Sequence, residues 1–385
     1  MSEIQFVDSA AALQVLCQKM RQEPWLALDT EFLREKTYYP KFCLLQVATL
    51  EWVACVDPIA LEGQLDELFA VINDPNIVKV LHSCRQDVEI FYQLTGKLPA
   101  PVYDTQLVAP ILGYQENPGY AMLVSGFLNI NLSKLHTRTD WSQRPLSAEQ
   151  LQYAADDVIY LAQIYQMMQE KLIALGREDW LKEDFEQLMN PDLYDIPPAD
   201  AWLKIRGKNK LTGKQLVIVQ VLAEWREEAA KKSDKPKNWI LRDEHILDMA
   251  KLQPTDIRAI AKIRGINDGF VRRSGQQLCE LIKKAQDMPG LKLKTKANNA
   301  KRTPQQEAIL DILTGIVRLR ADENSLNPVM LATRKDLEQL LLDAENCALL
   351  HGWRYSMVGQ ELEALLLGKL SLSMDKQHLS INTLA

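Results

Sequence analysis

Apolar residues in the first half of the chain fall into two kinds of run. Short, nearly continuous runs occur in "WLALDTEF" (25–32), "FCLLQVATL" (42–50), "EWVACVDP" (51–58) and "IVKVLHSC" (77–84). Such runs predict buried strands. The first three follow one another too closely for crossover helices, so they predict an antiparallel meander. Helical spacing marks "LDELFAVINDP" (65–75), "DVEIFYQLTG" (87–96) and "VYDTQLVAPILGY" (102–114). A long amphipathic stretch, "LSAEQLQYAADDVIYLAQIYQMMQEKLIAL" (146–175), starts at a Ser147 cap and stops just before Gly176. Meander, helix, strand, helix predicts a mixed α/β domain over residues 1–190.

The pattern then changes. "NPDLYDIPPADAW" (190–202) carries three prolines and marks a boundary. Everything after it reads helical and poor in strands. Two stretches resemble each other, one containing "PKNWILRDEHILDMA" (236–250) and one containing "LNPVMLATRKDLEQLLL" (326–342). Each has a proline-led apolar start, a charged cap (Arg242-Asp243, Arg334-Lys335) and an apolar helix. Between them lies the basic, Asn-rich "LKLKTKANNAKRTPQQ" (291–306). The expected plan is a linker at 191–210, a first small all-α domain at 211–293, a basic linker at 294–304 and a second small all-α domain at 305–385.

Composition narrows the class. With 385 residues, 47% hydrophobic and 25% charged, the chain can build two or three soluble domains. No apolar run is long enough to span a membrane. The start, "MSEIQFVDSAAALQ", lacks the basic residues of a signal peptide. The six cysteines are scattered without a C-x-x-C pair and are read as reduced, which makes the cytoplasm the expected compartment. The five histidines show no ligand spacing, which argues against zinc. A net charge of −6 speaks against a strongly basic nucleic-acid binder, but a local basic patch suffices for binding.

Candidate chemistry rests on acids. Asp29 and Glu31 stand at i and i+2 of a strand and share a face. The pair reads equally well as a solvated strand end or as a cation site. Asp87 opens a helix after a strand, where an N-cap role suffices, although sites in α/β sheets gather there too. For Asp104, capping is the preferred reading. Tyr153 and Asp157 are helical neighbours at i and i+4. Asp156 is turned about 100° away, toward solvent.

Taken in order, these signals resemble a known family. Asp29 and Glu31 in "LDTEF", Asp87 in "LHSCRQDVEIF", and Tyr153 with Asp157 in "YAADDVIYL" resemble the ribonuclease-H-like 3′→5′ exonuclease domain, in its tyrosine-bearing subclass with four acidic ligands (DEDDy). "TYYPKFCLLQVA" and "DWSQRPLSAEQLQYAADD" fit the same domain. The two helical stretches resemble HRDC domains. The combination is similar to the bacterial ribonuclease D family over nearly the whole chain. The resemblance implies two divalent ions, Mg2+ or Mn2+, held by Asp29, Glu31, Asp87 and Asp157, with Tyr153 orienting the attacking water. It implies hydrolysis of RNA with a single-stranded 3′ end, tRNA precursors and other small RNAs included, to nucleoside 5′-monophosphates. No membrane role or obligate protein partner is expected. Phe32 reads equally as a nucleotide contact or as core. The one-sided basic runs "KIRGKNKLTGK" (204–214) and "LKLKTKANNAKR" (291–302) favour substrate grip, with Lys208 and Lys210 as the phosphate contacts. Trp239 and Trp353 read as core. The alternatives are a DNA 3′→5′ exonuclease and a non-catalytic nucleic-acid scaffold.

Overall fold

The computed structural model describes residues 3–132, 139–292, 302–342, 344, 347–376 and 378–384. Among them, the first half places six strands in one sheet. These are β1 (Gln5–Val7), β2 (Trp25–Leu33), β3 (Lys41–Ala48), β4 (Val53–Val56), β5 (Val78–Leu81) and β6 (Val102–Asp104), in the order β1-β4-β3-β2-β5-β6. β2, β3 and β4 form the antiparallel meander that their short connections require. β5 lies parallel to β2, and β6 parallel to β5. β1, parallel to β4, adds an edge that three residues are too few to announce by alternation. The expected helix at 102–114 is instead β6, a four-residue helix α4 (Thr105–Val108) and a 3₁₀ turn at Ala109–Leu112. Pro110 has no N–H to continue an α-helix there.

Helices cover both faces. α1 (Ala10–Met20), α2 (Asp66–Ile72) and α3 (Arg85–Thr95) pack on the face that presents Leu26, Leu28, Leu45 and Val47. α5 (Tyr120–Leu128) and the long α6 (Ala148–Leu175) pack on the face that presents Ala27, Leu44 and Ala48. α6 begins with a capping box between Ser147 and Gln150 and ends at Gly176, φ 63°, as its sequence signals require.

One side chain ties the sheet to α6. The β2–β3 register runs from Glu31↔Leu44 to Phe32↔Phe42, so Cys43 is an extra residue, a bulge beside Glu31. Arg144, four residues before α6, donates to the Cys43 carbonyl at 2.7 Å. It also makes two bonds to the buried Asp57 carboxylate beyond β4, at 2.6 and 2.8 Å. A third arm reaches the Trp141 carbonyl at 2.9 Å.

After α7 (Lys182–Leu188) come short 3₁₀ turns at Pro191–Leu193, Pro198–Lys204 and Lys208–Lys210. Ala201, Trp202 and Ile205, within the expected linker, are buried in the core of the first helical module, because their apolar side chains face α8 (Lys214–Ser233). That module continues with α9 (Lys237–Ile240), α10 (Asp243–Leu252), α11 (Ile257–Ala261) and α12 (Asp268–Asp287). Residues 293–301, most of the expected basic linker, lie outside the described residues. The second module holds α13 (Pro304–Glu323), α14 (Pro328–Leu331), α15 (Arg334–Leu342), α16 (Gly352–Arg354) and α17 (Gln360–Leu366). It is not all-α, for β7 (Leu370–Asp375) and β8 (His378–Thr383) close it with an antiparallel hairpin. The period-two alternation of "LSLSMD" and "HLSINT" explains it.

Both modules touch the α/β domain. Tyr38, in the β2–β3 loop, donates its hydroxyl to Glu227 at 2.5 Å, and Asp234 accepts from the backbone N–H groups of Tyr38 and Tyr39 at 2.9 and 3.0 Å. On the second module, Trp353 stacks on Trp180 with ring centroids 4.3 Å apart. Arg177 bridges the carbonyls of Ile111 and Asn324.

Replacing Arg144 by Met leaves Asp57 buried without its cation. Loss of one partner from such a pair costs about 3–5 kcal/mol. Urea unfolding of Arg144→Met is expected to show a loss of that size; a loss below about 1 kcal/mol would remove Arg144 from this role.

Candidate active site

β2 pairs with β5 from Trp25↔Val78 only as far as Ala27↔Val80, so its last residues run on past the end of β5. Strands depart to either side of this point, the kind of crevice where α/β sheets place ligands. Asp29 and Glu31 project there from one face of β2. α6 crosses that face and brings Asp157. Oxygen atoms of the three carboxylates lie within 4.8 Å of one another, and all three side chains are half-buried.

Asp87 arrives from the other side of the strand. It is not an N-cap, because α3 starts at Arg85 and makes Asp87 its third residue, in the first turn. The turn before it is fixed by Asp104, which accepts from the N–H groups of Ser83 and Cys84 at 2.9 Å and also caps α4 through Gln106. Ser83 has φ 58°, a conformation that these bonds hold in place. Asp87 itself accepts from the Thr30 hydroxyl at 2.5 Å. It therefore sits beside the three-acid cluster but outside it.

The electrostatics follow from burial and crowding. Burial, then the neighbouring Asp157, push Asp29 up to about 8. Burial and the charges of Asp29, Asp157 and Asp87 push Glu31 up to about 9. Asp157 rises to about 7, through burial and Asp156. Asp87 is raised well above the ordinary range, by burial and Asp29. Tyr153 is half-buried one helical turn before Asp157, and Trp141 stacks beside it at 6.2 Å. Burial and the charges of Asp157, Glu31 and Asp29 raise its hydroxyl. Asp156, expected in solvent, is half-buried, and its carboxylate accepts from Gln152 at 2.7 Å.

Four further residues shape the site. Thr30 anchors Asp87. Gln46 stands opposite Asp29 in the strand pair, hence on the same face. It is fully buried, and neither polar atom of its amide has a partner among the described residues. Tyr120 donates its hydroxyl to the backbone carbonyl of Asp157. His82 packs on the Tyr120 ring at 5.4 Å. The one sequence signal for Gln46 was a lone amide inside the apolar run "FCLLQVATL". An all-oxygen donor set with an orphaned buried amide across from it fits a hard divalent cation and its hydration.

The expected substrate contacts fare unevenly. Phe32 is half-buried and packs against the core on the α1–α3 face. Lys208 is turned onto its own backbone, donating to the carbonyls of Leu203 and Ile205, so its ammonium is engaged in the 3₁₀ turn. Lys210 is exposed. Trp353 is in the stack with Trp180, but Trp239 is not core: it is 62% exposed.

Fold and cluster together define a class, the 3′→5′ exonuclease domain. A family model described as "3'-5' exonuclease" matches residues 4–173, and one described as "HRDC domain" matches residues 215–282. Ribonuclease D of Acidiphilium cryptum is 36% identical over 95% of this chain and 94% of its own length. Ribonuclease D of Pseudomonas paraeruginosa is 37% identical over 94% of this chain and 96% of its own. The crystal structure of Escherichia coli RNase D, described as an exoribonuclease involved in structured RNA processing, superposes with a TM-score of 0.80 at 30% identity, covering 95% of this chain and 99% of that one. The chain belongs to the ribonuclease D family. Its activity is that of a 3′→5′ exoribonuclease acting on RNA, and its exonuclease domain uses divalent metal. Among the described residues no helix is long and apolar enough to cross a membrane.

The raised carboxyls set a pH dependence. In the folded, metal-free protein these acids hold protons that the unfolded chain releases near pH 4. Stability therefore falls as pH rises from about 4 to about 9. Asp29→Asn removes one such group and is expected to stabilise the chelated protein at pH 8 by on the order of 1 kcal/mol. Thermal melts across this range check it; a flat profile, or a destabilised variant at pH 8, contradicts the crowding.

Proposed function

We propose that the chain removes nucleotides from single-stranded RNA 3′ ends by two-metal hydrolysis, with Asp29, Glu31, Asp87, Asp157 and Tyr153 as its working residues. The observation that carries this reading is the cluster of Asp29, Glu31 and Asp157 around one point, with Asp87 and Tyr153 beside it. Asp29, at the centre, would hold both ions. Glu31 and Asp157 would hold the first. Asp87 would serve the second through water, consistent with its place outside the cluster and its bond to Thr30. Mg2+ or Mn2+ suits these oxygen donors, and such a pair stabilises the attacking and leaving oxygens of an in-line displacement.

The chain's own groups do the rest. Tyr153, backed by Trp141, keeps its proton across the physiological range and orients the attacking water. A tyrosine in this place supports the reading of the domain as one of the tyrosine-bearing subclass. Phe32 supports the terminal nucleotide, and Lys210 contacts phosphate. A sequence-tolerant apolar contact suits a general trimming enzyme. The substrates are tRNA precursors and other small RNAs with unpaired 3′ tails, in the cytoplasm. The work on structured RNA attributed to the E. coli relative supports that choice.

We also read the second helical module as a second HRDC-like domain. Each module opens with a 20-residue helix, α8 and α13. Each follows with a four-residue helix at a proline, α9 and α14, and then with a helix of nine or ten residues, α10 and α15. The proposed domains are 1–190, a first helical domain whose core begins near Ala201, and a second from about residue 304.

The test is hydrolysis of 5′-labelled RNA and matched DNA with single-stranded 3′ tails, in magnesium or in chelator. Asp29→Asn and Asp157→Asn are expected to lower kcat/KM by roughly 10³-fold, the loss of several kcal/mol of charge stabilisation. Tyr153→Phe is expected to lower kcat by roughly 10²-fold with KM little changed. Full activity in both Asn variants, or cleavage in chelator, would rule out the mechanism; cleavage of DNA alone would reassign the substrate. Phe32→Ala is expected to raise KM on short oligonucleotides while barely moving the melting temperature. The opposite pattern would make Phe32 a core residue only.

A further inference from the structure

The β2–β3 loop does more than connect strands. Between residues 34–38 and the first helical module lies an open cavity of about 460 Å³. Arg34, Tyr38, Lys204, Lys237 and Asn238 line it, with Glu35 and Asp243 on the acidic side. Its walls are held in place by the Tyr38–Glu227 bond and by the Asp234 bonds to the loop backbone. The cleft is close to the acid cluster along the chain. Arg34 follows Glu31 by three residues, about 10 Å at strand spacing.

Most cations here are already matched. Arg34 is bidentate with Glu89, Arg226 pairs with Asp243 at 2.7 Å, and Lys237 pairs with Glu227 at 3.2 Å. Lys204 differs: among the described residues it has no hydrogen bond or ion pair. Burial, then the nearby charges of Lys237 and Arg85, hold its ammonium below the ordinary range, against the opposing pull of Glu227 and Glu89. Trp239, which follows the lining residues Lys237 and Asn238 in the short helix α9, is 62% exposed. Folding leaves this large apolar ring in water, whereas the other module's Trp353 is stacked away against Trp180.

We propose that this cleft binds the single-stranded RNA immediately upstream of the 3′-terminal nucleotide, with a backbone phosphate at Lys204 and an unpaired base stacked on Trp239. The inference rests on the acid cluster as the place of 3′-end hydrolysis. A cation with no hydrogen-bonded partner and an exposed aromatic in the same module are the combination that holds a single strand without reading its sequence. It moves the phosphate grip from Lys208, which caps its own turn, to Lys204. It also gives the first helical module a direct role in holding substrate.

The experiment uses full-length protein with Lys204→Glu, Trp239→Ala and Trp239→Phe. Binding of a fluorescent dodecaribonucleotide is measured by anisotropy in chelator, and hydrolysis of a diribonucleotide and the dodecamer is measured in magnesium. Lys204→Glu and Trp239→Ala are expected to weaken dodecamer binding roughly tenfold and to raise its KM in step. Trp239→Phe is expected to retain most of the affinity. Lys204→Glu is also expected to reduce the salt slope of binding by about one. The diribonucleotide, too short to reach the cleft, reads the acid cluster alone. Unchanged dodecamer affinity in both Lys204→Glu and Trp239→Ala overturns the proposal. Failure of the unmodified protein to cut even the diribonucleotide would overturn the reading of the acid cluster instead, and anisotropy would still decide the cleft.

Discussion

Like charges crowded into a half-buried space are the constraint on which the catalytic domain is built. Asp29, Glu31 and Asp157 lie within reach of one another, and each is pushed up by burial and its neighbours. Left to themselves such groups move apart or take up protons. The frame that prevents separation is rigid. β2 lies in the middle of the sheet, with β3 and β5 bonded to either side. Arg144 ties the bulge beside Glu31 to the segment that starts α6. Tyr120 fastens α6 again at Asp157 itself. Asp104 performs the same service for Asp87, by fixing the turn from β5 into α3. The crowding costs stability in the metal-free protein, and a divalent cation is the natural counterweight.

The helical modules extend this logic to the substrate. They dock on different parts of the catalytic domain, the first on the β2–β3 loop and the second on the region around Arg177 and Trp180. The loop that carries the first contact grows directly out of the strand bearing Asp29 and Glu31. A strand of RNA held between loop and module, as proposed, would be registered against the acids through a short path. Grip of this kind is compatible with the overall acidity of the chain, since it needs a few local positive groups and not a positive net charge.

Much of this was legible in the residues. The meander, α6 with its Ser147 and Gly176 signals, and the ordered acids at 29, 31, 87 and 157 could be placed before any coordinates, because local periodicity and capping are sequence properties. "DTE" alone was ambiguous; it gained meaning from Asp87 and the Tyr153/Asp157 pair. Other features are tertiary by nature. Gln46 matters only because the register sets it opposite Asp29. Thr30 reads as a strand residue until α3 brings Asp87 to its hydroxyl. Asp87 looked like a cap because the true start of α3, at Arg85, depends on bonds from distant Asp104. Trp239, in α9, is exposed, whereas Trp353, in α16 of the other module, stacks on Trp180 of the catalytic domain, a contact that no sequence pattern announces. The closing hairpin was missed because two short alternating segments follow a long helical pattern.

The central claim, that Asp29 sits between two divalent ions, is tested most directly by anomalous diffraction from crystals soaked in manganese. Two peaks about 4 Å apart, on either side of Asp29 and within bonding distance of Glu31, Asp157 and the Asp87 side, are expected. Manganese found elsewhere, or a single peak that does not touch Asp29, would contradict it.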